Sequence, residues 1–184
     1  MSEVKTPAIK TPASIAAVYG LFFGLIMILE FMLSYTLNID PLENPAVGWV
    51  MNLLNYLFLP FVFIMLACNA YKKYNNGFIS FGQCIKAGVT TAFLAALAYG
   101  VFYFVFTLIF PEFIDEAMDK VARVTMRNSP DLTQEQLDMS LSWVRKFMEP
   151  MLTIPFTLVM YTIIGLIHSF IVGAIVKKDQ PQFN

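Results

Sequence analysis

The chain has 184 residues, of which 58% are hydrophobic and only 14% charged, against roughly 25% charged in an ordinary soluble domain. That balance points into a membrane, and a formal net charge of −1 excludes the strongly basic surface that nucleic acid selects. One histidine and two cysteines, Cys68 and Cys84, with no CxxC pair, exclude an ordinary structural zinc site and give no reason to expect a cofactor.

Residues 1–14 carry Lys5, Pro7, Lys10 and Pro12 and little that is apolar, the composition of a short flexible tail. An apolar run from Ile15 to Leu37 follows. It exceeds the apolar core of a secretion signal and no small-x-small cleavage site follows it, so it reads as an uncleaved first span. Gly20 and Gly24 form a GxxxG pair inside it. Residues 38–46 make a short loop with Asp40, Pro41, Glu43 and Pro45 but no lysine or arginine. The second span covers about residues 47–71 and contains Pro60, whose missing N–H predicts a kink.

A basic turn comes next. Asn75, Asn76 and Gly77 tolerate the left-handed backbone angles of a tight turn. Lys72, Lys73 and Lys86, with Tyr71 and Tyr74, read as the interfacial anchor of the flanking spans, and as a weak cluster for a lipid headgroup. Ser80 is placed to cap the following helix. The third span, about 84–110, is some 40 Å long as a helix, enough to cross a bilayer with tilt. Gly88, Ala92, Ala96 and Gly100 recur along it every fourth residue. In lipid such a stripe lets another backbone approach closely, so this helix is expected at the centre of a bundle. The competing reading is an apolar helix that merely happens to be rich in small residues.

Residues 111–149 differ in kind. Glu112, Asp115 and Glu116 follow Pro111 and suit the positive end of a helix. Phe113, Ala117, Val121 and Val124 recur at helical spacing, and Asn128-Ser129-Pro130 ends the helix. Thr133 and Gln136 form a capping box, and Leu137, Leu141, Val144 and Met148 continue one apolar stripe. The segment therefore predicts two amphipathic helices joined by a tight turn. The fourth span runs from about 150 to 176, with Pro155 in its first turns and Gly165, Ser169 and Gly173 at small-residue spacing.

The expectation is an all-α membrane protein: one four-helix domain over 1–184, with spans near 15–37, 47–71, 84–110 and 150–176 and an extracytoplasmic helical hairpin at 111–149. Lys5, Lys10, Lys72, Lys73, Lys86, Lys177 and Lys178 gather at one end of the spans, while the 38–46 loop has no base. Both termini are therefore expected in the cytoplasm. Cys68 and Cys84 then lie near the reducing side and read as buried small residues rather than a disulfide.

The stretch Gly77-Phe78-Ile79-Ser80-Phe81-Gly82-Gln83, with Lys86 and Gly88, resembles the signature of a bacterial family of four-span membrane proteins, the domain of unknown function 4199 family. Pro111-Glu112-Phe113 and the acidic helical segment before the fourth span resemble it too, and the likeness covers roughly residues 10–180. It implies fold and a bacterial cytoplasmic-membrane location. It brings no activity, ligand or catalytic residue.

Glu30 is the sharpest chemical anomaly. A charge at mid-span costs about 3 kcal/mol on insertion scales, so such residues face protein or water. Asn52 and Asn55 lie at similar depth on one face of the second span, and Tyr103 and Thr157 lie near that level. Two readings are open: a proton or cation site, or a carboxyl that binds helices together or simply reaches interfacial water. His168 lies nearer the basic end, about 10 Å from Glu30's depth, with Thr90 and Thr91 at its level. It reads either as a proton relay or as a neutral structural histidine. No GxSxG, HExxH, phosphate loop or dinucleotide fingerprint occurs. The sequence thus favours a non-enzymatic structural, accessory or partner-binding protein in the lipid bilayer, with itself or another membrane protein as partner. The alternative is a small oligomeric transporter or channel-like protein using Glu30 and His168.

Overall fold

The computed structural model describes residues 10–181. The tail read into residues 1–14 lies outside the described residues up to residue 9, as does the chain after residue 181. Each apolar run is a helix long and apolar enough to cross a membrane: Pro12–Thr36, Pro45–Tyr74, Phe81–Ile109 and Pro150–Val176. They are the first to fourth spans below. Between the last two stand the hairpin helices Glu112–Asn128 and Gln134–Met148.

Local chemistry sets the helix ends. Capping boxes open three helices: Thr11 with Ser14, Ser80 with Gln83, and Thr133 with Gln136. Each pairs a side-chain oxygen with a free N3 amide and returns a bond to the cap's own N–H. Asn76 (φ 53°) and Gly77 (φ 85°) take the left-handed turn positions before the third span.

The second span is not one continuous α-helix. Pro45–Leu53 is α-helical, Leu54–Phe58 is a π turn in which Leu59 N–H reaches Leu54 O, and Leu59–Tyr74 is α-helical again. Pro60 accounts for this. It has no N–H to give the Tyr56 carbonyl, and its ring crowds that carbonyl. Widening the turn relieves the crowding. The kink expected at Pro60 is expressed as this bulge.

The third span lies between the first and the fourth, and glycines set its contacts. A Cβ added to Gly20 or Gly24 would sit 2.7 Å from Thr91 O or 2.8 Å from Ala95 O on the third span. One added to Gly88 would meet Ser169 and Ile64, one at Gly165 would meet Ala92, and one at Gly173 would meet Phe81. The stripe of Gly88, Ala92, Ala96 and Gly100 is buried along its length. Its Gly88–Ala92 part faces the fourth span, while Thr91 and Ala95 face the first. All three small-residue sets are therefore occupied within one chain.

The core divides in two. Near the basic turn, Ala16, Ile64, Ala67, Cys68, Ile79, Cys84 and Val172 pack with no exposure. Both thiols are free, and Cys68 Sγ lies 3.7 Å from Cys84 O. Nearer the hairpin, Phe23, Met27, Leu59, Ala95, Ala96 and Tyr161 form a second cluster. Leu21, Phe22, Leu25, Leu29 and Leu33 on the first span, and Val101, Phe104 and Leu108 on the third, point outward as the lipid-facing surface.

The basic end is clasped. Ile79 and Lys178 exchange two backbone hydrogen bonds of 2.9 Å. Lys72 Nζ donates to Val176 O at 2.8 Å, satisfying a free carbonyl at the end of the fourth span. At the other end, the hairpin docks through Phe113, whose ring lies 5.3–6.4 Å from those of Phe31, Tyr35, Tyr103 and Phe106. Edge-on pairs of this kind contribute about 0.5–1.5 kcal/mol each beyond the area they bury. Asp115 and Arg145 pair across the hairpin, and Tyr103 Oη donates to Met148 O at 2.6 Å.

Candidate ligand cavity at the hairpin end

Beneath the hairpin, a cavity of about 670 Å³ opens among the first span, the 38–46 loop, the second and fourth spans and the first hairpin helix. Proline and the Asp40 turn shape its rim. Asp40 Oδ1 accepts from Leu42 N at 2.8 Å and folds the loop back, and Gly48 lets Pro41 O approach closely. Lys120 ties the hairpin to this loop by an ion pair with Asp40 at 3.4 Å, and Arg123 lies 3.7 Å from Glu43.

Glu30 lines the cavity, half-buried. Its Oε2 accepts from Asn55 Nδ2 at 2.7 Å, and the same amide reaches Met51 O at 3.1 Å. Glu30 Oε1 has no hydrogen-bond partner among the described residues. Asn52 and Thr157 line the same space. Of the four groups placed at Glu30's depth by the sequence, the structure brings Asn52, Asn55 and Thr157 to it, while Tyr103 turns to the hairpin.

The aromatic wall was not legible beforehand. Phe31, Tyr56, Tyr99, Phe156 and Tyr161 line the cavity from all four spans, the last two from the fourth. Tyr56 and Tyr161 stand 6.1 Å apart, and fully buried Phe23 backs Tyr161 at 6.0 Å. Tyr161 is only 5% exposed, yet its hydroxyl has no hydrogen-bond partner among the described residues. No residue type in isolation announces such a wall, since an aromatic residue inside an apolar span packs as readily against another helix or lipid.

Glu30, Asp40 and Glu116 border the cavity against a single lysine, Lys120, already paired to Asp40. The net local charge is therefore negative. Among the described residues no group of three His, Cys, Asp or Glu side chains is placed to hold a metal ion.

His168 stands apart. It is buried but does not line the cavity. Its Nδ1 lies 2.8 Å from Ile164 O, and its Nε2 has no partner among the described residues. The threonines at its level bond instead to their own helix, Thr90 to Lys86 O and Thr91 to Ala87 O. Apolar side chains leave a threonine hydroxyl in lipid no better acceptor than the carbonyl four residues back.

Four apolar helices around a buried small-residue seam, with a largely apolar cavity holding a few polar groups under a helical hairpin, define a multi-pass helical membrane protein. A family model described as "Protein of unknown function (DUF4199)" matches residues 18–178, and the chain belongs to that family. No curated protein and no solved structure matches it.

Proposed function

We propose that this is a non-enzymatic membrane protein that binds a small ligand in the cavity under its hairpin. The carrying observation is the cavity itself, whose lining includes Asn52 and the Tyr161 hydroxyl, neither with a hydrogen-bond partner among the described residues. Its volume falls within the roughly 300–1,000 Å³ of ordinary ligand sites. Unpaired hydroxyls and amides facing a roomy space are costly unless water or a ligand completes them. The hairpin, held by Phe113 and by the Lys120–Asp40 pair, serves as its roof.

The protein sits in a bacterial cytoplasmic membrane with both termini inside and the hairpin and cavity mouth outside. Support comes from Lys72, Lys73, Lys86, Lys177 and Lys178 at the end opposite the hairpin. A transporter using Glu30 and His168 has one supporting feature, Glu30's exposure to the cavity. Against it stands the packing of Phe23, Ala95 and Ala96 on the basic side of Tyr161.

The test is a thermal-shift screen of cationic, anionic and neutral small amphiphiles on the purified protein. Thr157→Trp, which fills the cavity, is the control. At least one class is expected to raise the Tm of the wild type and not of the filled variant. No such class would refute the reading. A reporter fused after Asn184 and active only outside the cytoplasm would overturn the orientation.

A further inference from the structure

Resting on that reading of the cavity, we propose that its ligand is an organic cation, an ammonium or phosphonium centre on an apolar body, with Glu30 as its counter-charge. Three independent features of the site converge on this class.

The first is the wall. Phe31, Tyr56, Tyr99, Phe156 and Tyr161 present aromatic rings to one space. Ring faces carry negative potential, and a diffuse, weakly hydrated cation is the ligand that several such faces attract at once.

The second is the arrangement at Glu30. Asn55 spends its amide on Glu30 Oε2 and on Met51 O, so it fixes the carboxyl without enclosing it. Oε1 has no hydrogen-bond partner among the described residues, and Glu30 lines the cavity. Lys120 cannot serve as that partner, since it is held by Asp40 at 3.4 Å.

The third is Tyr161. Its side chain is buried, its hydroxyl has no hydrogen-bond partner among the described residues, and it borders the same cavity. It supplies an oxygen that a ligand's polar head can approach beside the ring face.

Alternatives fit less well. A bare metal ion needs a close shell of oxygen, nitrogen or sulfur ligands, and no group of three His, Cys, Asp or Glu side chains able to hold one is found among the described residues. A cavity of about 670 Å³ is also far larger than an ion requires. An anion would meet Glu30 and Glu116 with no free lysine or arginine on the lining.

Three probes of nearly equal bulk and shape test the class: tetraphenylphosphonium, tetraphenylborate and neutral tetraphenylsilane. Each is titrated separately into full-length protein in nanodiscs, with empty nanodiscs subtracted. The phosphonium is expected to bind at least about tenfold more tightly than the other two, the scale set by one desolvated charge partner. Glu30→Gln, which preserves the acceptor for Asn55, should erase most of that preference while the neutral probe's affinity holds. Equal or tighter binding of the neutral or anionic probe to wild type refutes the cation class and leaves the ligand site standing. A preference that survives Glu30→Gln refutes Glu30 as the counter-charge. Saturable binding of none of the three overturns the ligand-site reading and this inference with it. Should Glu30→Gln fail to fold, the ranking of the three probes on wild type and on Glu30→Asp still decides the class.

Discussion

Replacing Gly20 with alanine tests the seam that holds the first and third spans together. The new Cβ would lie 2.7 Å from Thr91 O, 3.0 Å from Leu94 Cβ and 3.2 Å from Thr91 Cα. An ordinary carbon–oxygen approach is about 3.3 Å or more, so the first span must retreat by roughly 0.6 Å. Neither Thr91 O nor its Cα can swing aside, because both belong to the helix backbone. Some forty close atom pairs along such a seam hold about 6 kcal/mol at roughly 0.15 kcal/mol each. A gap of about half an ångström forfeits around a quarter of that, or about 1.5 kcal/mol, within the usual 1–3 kcal/mol range for overpacking. Gly82 is the control, since an added Cβ there meets nothing within 4 Å. Gly82→Ala should be neutral or slightly stabilising, through about 0.5–1 kcal/mol of helix propensity. Thermal unfolding in one detergent compares the two. At about 2–4 °C per kcal/mol for a chain of this size, Gly20→Ala should melt about 3–6 °C below wild type. Equal melting of Gly20→Ala and Gly82→Ala would refute the argument that these helices meet backbone to backbone at Gly20.

Phe113→Ala removes the ring that four bundle aromatics surround. Limited trypsin digestion should then cut the hairpin at Lys120, Arg123 or Arg127 several-fold faster, and an unchanged rate would mean that the hairpin is held by something else. Lys72→Met deletes the donor to Val176 O. The loss of one charge-assisted bond is expected to cost about 1.5–3 kcal/mol at most, read as faster amide exchange in the last turn of the fourth span, and no change there would count against the clasp. Glu30→Leu leaves Asn55 Nδ2 only its bond to Met51 O and should destabilise by about 0.5–1.5 kcal/mol, the net worth of one hydrogen bond, whereas Glu30→Gln should melt close to wild type. Equal stability of the two would show that the Asn55 bond contributes nothing.

The helices were legible because apolar runs of membrane length leave the backbone no other way to satisfy itself. The caps at Ser80 and Thr133 were legible for the same local reason, since a hydroxyl three residues before Gln83 or Gln136 is a sufficient signal. Thr11 with Ser14 escaped notice because serine seldom stands in the glutamate position of that box. The Gly88–Gly100 stripe announced one packing face. The second face, Thr91 with Ala95, did not stand out in a helix already full of small residues. At the cavity, Glu30 and the asparagine pair could be placed by depth alone. Depth does not fix rotation, so the sequence could not say that Asn55 takes Glu30 while Asn52 stays open to the cavity. The tyrosine wall and Lys72's reach to Val176 join residues from separate helices, the latter 104 positions apart. No local pattern encodes such meetings.

The π turn at Leu54–Phe58 has a consequence for how this molecule can vary. A widened turn accommodates about one residue more than an α-helix would, and one residue is about 100° of rotation. The two halves of the second span therefore run out of phase with each other. Ile64, Ala67, Cys68 and Tyr71 follow one phase and face the packed core, while Asn52, Asn55 and Tyr56 follow another and face the cavity. A single-residue deletion within the turn would put both halves in one phase and swing Asn55 away from Glu30, leaving the seam around Ile64 as it is. The lining of the cavity can thus be reset by a change in chain length of one residue, while the core around Ile64 keeps its phase.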